Sequence, residues 1–168
     1  MKIYKNKLLT VLLSVFTLVS FTSCEDDYYW TEGTLDYYST ITASPRGIIQ
    51  DDLTMDYGWV TINGGSKYAS PEDIKFVSGY IEILPYGSSS YIDGFDLTLS
   101  NSNAILRVPY NSNGGWELDS PAAQDFMYAI VEVIRKYGRA TVYIDGEANN
   151  YAKFDLNFIM DIDVYVRD

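Results

Sequence analysis

The clearest periodicity in the chain lies at its C-terminal end. There Ala152, Phe154, Leu156, Phe158, Met160, Ile162, Val164 and Val166 alternate with Lys153, Asp155, Asn157, Ile159, Asp161, Asp163, Tyr165 and Arg167. A period of two puts successive side chains on opposite faces of a strand, so the pattern predicts one long strand with a buried face and a wet one. Strands average about 5 to 6 residues, and one this long is expected to bend or bulge partway. Runs rich in β-branched and aromatic residues predict further strands at 35–43 (LDYYSTITA), 55–62 (MDYGWVTI), 76–84 (FVSGYIEIL), 95–100 (FDLTLS), 104–108 (AILRV) and 139–145 (RATVYID). Trp59, inside the second of these, reads as core.

Turn chemistry separates the runs. Pro45 and Gly47, then Asn63, Gly64 and Gly65, interrupt the first two, and the Ser- and Gly-rich stretch 85–94 reads as a loop at a sheet end. Asn101, Ser102 and Asn103 form a hairpin-length connection, so the strands on either side should be antiparallel. Residues 146–150 read as the loop of a hairpin into the long last strand.

One helix interrupts the strands. Over 121–137, Phe126, Ile130, Val133, Ile134 and Tyr137 recur at helical spacing, with Asp125, Glu132, Arg135 and Lys136 elsewhere. Ser120 supplies an N-cap oxygen, Pro121 suits the first helical position, and Gly138 offers a left-handed stop. The apolar stripe is a face to be packed on a sheet. Ser70, Pro71, Glu72 and Asp73 carry the cap, proline and acid of a further single turn. The fold class predicted is mainly β: an antiparallel β-sandwich with one amphipathic helix, spanning 34–168 as a single domain.

The N-terminus follows another logic. Lys2, Lys5 and Lys7 precede an apolar run, 8–21, that carries no charge, and small residues lead to Cys24, the only cysteine. That order is a secretion signal. Its fourteen residues fall short of the roughly 20 a spanning helix needs, so cleavage is expected over retention. Phe21, Thr22, Ser23 and Cys24 resemble a bacterial lipobox, with Phe21 where leucine is commonest. The resemblance implies a signal peptide over 1–23 and a diacylglyceryl group on Cys24, and hence a membrane as partner. Glu25, Asp26 and Asp27 resemble the export signal of Bacteroidetes-type surface lipoproteins. That implies an address on the outer face of the outer membrane, with the periplasmic face as alternative. An ordinary signal peptide would leave Cys24 as a free thiol. Residues 24–33, acidic and then aromatic (Tyr28, Tyr29, Trp30), read as a tether.

Composition narrows the function. Taking 23 from 168 leaves 145 residues, which suits one core. Nine basic against 23 acidic side chains give a net charge of −14 over that part. Nucleic acid is excluded as a partner, since phosphate contacts need Lys and Arg in clusters. There is no histidine, so no Ser-His-Asp or Cys-His arrangement exists, nor a zinc site of nitrogen and sulfur ligands. The chain is therefore expected not to be an enzyme and to need no cofactor. With no disulfide available, stability must come from core and ladders.

What remains for function is carboxylates, tyrosines and loops. Asp161 and Asp163 share a strand face. Asp93 and Asp96, and Asp145 and Glu147, read as acids at turns, where calcium could be held, although no stretch has the EF-hand spacing. Tyr110, Asn111, Asn113 and Trp116 surround Gly114 and Gly115, and an exposed indole beside amides is a platform for a sugar ring. The bland reading is that Trp116 folds back over the sandwich end. The order of strands, helix and closing strands, with Arg107, Val108 and Pro109 before the helix, resembles the β-sandwich of late-embryogenesis-abundant type 2 domains, which implies architecture only. Two functions are open: an accessory or structural module recognising a protein partner through a sheet edge or end loop, and a polysaccharide-binding lipoprotein using 110–116.

Overall fold

The computed structural model describes residues 28–56, 60–62, 65–67, 74–87, 91–111, 115–149 and 152–167. Ten strands and one helix are built from them, in the order β1 (Tyr28–Thr42), β2 (Ile48–Asp56), β3 (Val60–Ile62), β4 (Gly65–Lys67), β5 (Ile74–Pro85), β6 (Tyr91–Leu99), β7 (Ile105–Asn111), β8 (Trp116–Leu118), α1 (Pro121–Tyr137), β9 (Arg139–Asn149) and β10 (Lys153–Arg167). Two antiparallel sheets pack face to face as a β-sandwich. The larger has the order β4-β3-β1-β10-β5-β8, the smaller β2-β9-β6-β7. Residues 30–166 make up one compact unit.

β10 sits at the centre because its alternation is the most complete. Phe154, Leu156, Phe158, Met160, Ile162 and Val164 are all at most 1 % exposed. It pairs with β5 from Phe154↔Pro85 to Val164↔Ile74, and the register slips once, where Asp161 faces Ser78 but Ile162 faces Phe76. Val77 is the extra residue of this bulge and is exposed. The slip keeps Ile74 and Phe76 on one side of it, and Gly79, Ile81 and Ile83 on the other, pointing at the core. On its other side β10 meets β1. Ala43 N–H donates to the Ala152 carbonyl, Thr40 bonds Asp155, and the Trp30 ring lies against Tyr165, so each contact pairs residues whose numbers sum to 195. That constant sum is an antiparallel register.

The smaller sheet supplies the opposing inner face with Ile49, Met55, Phe95, Leu97, Val108, Val142 and Ile144, all at most 1 % exposed. Phe95 and Phe154 stack across the interlayer with centroids 5.3 Å apart. The helix packs against β5 of one sheet and β9 and β7 of the other, with Ala123, Phe126, Met127, Ile130, Val131, Val133 and Ile134 buried. Both caps form as the sequence implies. Ser120 Oγ accepts from the Ala123 N–H, and Gly138, at φ 75°, donates its N–H to the Ile134 carbonyl. Gln124 fastens the first turn by donating to the Gly79 carbonyl at 2.6 Å.

Several expectations need correction. Residues 28–33 belong to β1 and are not tether: Gly33 and Leu35 face inward and Trp30 and Glu32 outward, a period of two that begins earlier than 35. The predicted strand 55–62 is the end of β2 and then β3, with 57–59, including Trp59, outside the described residues. Residues 91–94 are strand, pairing with β9, and not loop. β9 runs on through 146–149, and it lies in the other sheet from β10, so the two strands are not a hairpin. The turn predicted at 70–73 lies outside the described residues.

Candidate functional site

The two sheets differ in what their outer faces offer. On the larger sheet the polar groups satisfy one another across strands. Asn157 donates to Glu82 at 2.7 Å, Ser78 to Asp161 at 3.0 Å, and Thr40 and Tyr86 to the two oxygens of Asp155 at 2.6 and 2.8 Å. Its bond to Asp155 is the main reason the Tyr86 hydroxyl titrates above the usual tyrosine range. This is a solvated face with its hydrogen bonds already made.

The outer face of the smaller sheet is built differently. Register places Ile48 beside Glu147 and Gly94, Gln50 beside Asp145, Asp96 and Arg107, and Asp52 beside Tyr143, Thr98 and Ile105. A β-bulge in β6 creates the relief. Ile92 faces Ala148 and Gly94 faces Glu147, so Asp93 has no partner and is pushed outward while Gly94 takes φ 122°. With no side chain on Gly94, a hollow of about 570 Å³ opens between Ile48, Asp93, Asp96, Arg107, Asp145 and Glu147. Gly146 lies across from Phe95, and a Cβ there would overlap the Phe95 Cβ and the Gly94 carbonyl. The bulge therefore depends on two glycines.

The electrostatics of the hollow are one-sided. Asp96 and Asp145 stand directly opposite each other, an arrangement that repels. Arg107 bonds Asp96 at 3.0 Å, but both side chains are well exposed, so the pair contributes at most about 1 kcal/mol. Four carboxylates against one guanidinium favour a cationic partner. Around them Ile48, Tyr143 and Ile105 are 52, 48 and 66 % exposed, apolar area that no described element covers. The two acidic pairs thus lie on strands and not at turns as expected, and β6–β9 pairing brings them together. Among the described residues no group of three or more acidic or cysteine side chains is placed to hold a metal ion.

The sugar-platform candidates are distributed otherwise. Tyr110 and Asn111 end β7 in the smaller sheet, with Asn111 opposite Ile92, whereas Trp116 opens β8 in the larger. Trp116 pairs with Ile83, which is fully buried, so its side chain takes the same inward face and packs on the core, its indole N–H buried without a partner. Asn113 lies outside the described residues, as do Cys24, Glu25, Asp26 and Asp27. Asp161 and Asp163 do share the outer face of β10, where Asp161 accepts from Ser78.

A second hollow, about 550 Å³, lies along the outer side of α1, between Tyr128, Glu132, Lys136 and Tyr137 and the turn at Asn101 and Ser102. No helix among the described residues is long and apolar enough to cross a membrane. No protein-family model matches the chain, and no curated protein matches its sequence.

Proposed function

We propose that the chain is a non-catalytic cell-envelope lipoprotein, held at the outer membrane surface by a lipid on Cys24 and acting as an accessory or structural module. The periplasmic leaflet is the alternative address. The observation that carries the interaction reading is the outer face of the smaller sheet, where exposed Ile48, Ile105 and Tyr143 surround a hollow lined by Asp93, Asp96, Asp145 and Glu147. Apolar area ringed by one sign of charge suits a protein partner with a basic surface, the charges guiding encounter and the apolar groups supplying contact. The sequence supports the anchor: a charge-free apolar run and then small residues leading to the chain's only cysteine.

Photo-crosslinking in intact cells tests the face. A crosslinker placed at Ile105 should capture a defined partner, and one at Lys153, on the other sheet, should not; equal capture at both sites contradicts the assignment. The anchor is tested by Cys24→Ser, which should abolish labelling by a fatty-acid analogue and release the protein from membranes. Polysaccharide capture through 110–116 is the competing reading. Loss of binding on a polysaccharide array in Trp116→Ala, with the fold intact, would support it.

A further inference from the structure

Three strands of the larger sheet have an end in common: β1 begins there, β10 finishes there and β5 begins there. Their outward residues at that end make one cluster. The Trp30 and Tyr165 rings lie 5.2 Å apart, and Lys75 Nζ stands 3.9 Å from the centroid of Trp30. Trp30 remains 46 % exposed, and Lys75 is exposed as well. An indole, a phenol and an ammonium held together at the rim of a domain match the chemistry of a bilayer interface, where amphipathic rings sit at headgroup level and lysines reach outward from them.

The helix adds to the same end. Gln124 is bonded to Gly79 and the Tyr128 ring lies edge-on to Phe76, so α1 advances toward the start of β5 as its numbering rises. Its last turn carries Lys136 and Tyr137, with Lys136 Nζ 5.0 Å from the Tyr137 ring and both tyrosines about half exposed. Basic side chains lie near this end too. Of the nine basic side chains beyond residue 23, Lys75, Arg135, Lys136 and Arg139 lie toward this end. Among the described residues, Glu32, Asp56, Glu132, Asp161 and Asp163 accompany them.

Covalent length supplies the remaining argument. Six residue steps lead from Cys24 to Trp30, and at no more than about 3.6 Å each they cannot hold the two more than about 22 Å apart. From Trp30, β1 runs twelve residues to Thr42, or about 40 Å, which puts Lys153 and Tyr86 far from the point of attachment.

We infer that the Trp30–Tyr165–Lys75 cluster, flanked by Tyr128, Lys136 and Tyr137, is a seat on the lipid surface that carries the Cys24 anchor, fixing the domain upright with its opposite end outward. The inference rests on the lipoprotein reading. With Cys24 acylated, a new cysteine is the only free thiol, so Lys75→Cys and Lys153→Cys, both at exposed positions, can each take a nitroxide. The lipid-bearing full chain is placed in phosphatidylcholine vesicles, and collision of the label with oxygen and with a water-soluble nickel chelate is measured. At position 75 nickel collision should be several-fold lower than at 153 and oxygen collision higher. Trp30→Ser with Tyr165→Ser should abolish that difference while the protein stays vesicle-bound. Equal nickel access at both positions in a vesicle-bound protein overturns the seat and leaves the anchor standing. A chain with Cys24 intact that does not associate with vesicles overturns the anchor, and the seat with it.

Discussion

Tyr37 shows how much of this fold's behaviour depends on single side chains. Burial first, and the nearby Asp56 carboxylate second, push its hydroxyl up from 10.0 to about 12. A group whose folded pKa is raised stabilises fully below its unfolded value and loses that contribution as pH climbs through the folded one. Stability should therefore fall between about pH 10 and 12 by up to about 3 kcal/mol on this account. Tyr37→Phe should flatten that part of a denaturation-versus-pH curve. Gly79 is constrained in another way. A Cβ there would come within 2.5 Å of the Ile159 carbonyl and 3.0 Å of Met127 Sδ, so both the β5–β10 ladder and the helix would have to move. Gly79→Ala is expected to cost about 1–3 kcal/mol in chemical denaturation. At this scale the sequence was only partly readable. Capping by Ser120 and Gly138 is local chemistry and was visible, whereas the demands on Gly79 and Gly146 come from strands distant in the chain.

At the scale of elements, legibility followed the strength of each period. β10 and α1 announce themselves because a central strand and an amphipathic helix each bury one complete face. β2 did not, and Asp51 shows why. It stands opposite Ile144, at a core-facing position, yet is exposed on an edge strand, and its charge breaks the alternation between Ile49 and Met55. Inward-register charges of this kind discourage edge-to-edge pairing, so Asp51→Val should leave stability nearly unchanged while raising the tendency to self-associate in light scattering. β8 escaped notice because three residues beside glycines carry no period. Its Trp116 is nonetheless packed on the core, and Trp116→Ala should lower stability by about 2–3 kcal/mol, with Trp116→Phe recovering much of it in thermal melts. The hollow on the smaller sheet was hidden for a related reason: Asp93 and Asp145 are neighbours only through the β6–β9 register.

For the whole molecule, what matters is which strands share a ladder. β10, the final strand, is the hydrogen-bonded neighbour of both β1 and β5, and its side chains fill the middle of the core. Until the ribosome has finished the last fifteen residues of that strand, the first strand lacks the partner beside which it is stable. Pairings this remote in sequence form late and slowly. On the export route proposed above, this is an advantage: a polypeptide threaded through a narrow translocation channel must stay unfolded, and here the architecture withholds its own completion until β10 has come through. A copy truncated before Lys153 should remain protease-sensitive throughout, and the full-length chain should become resistant in a single step.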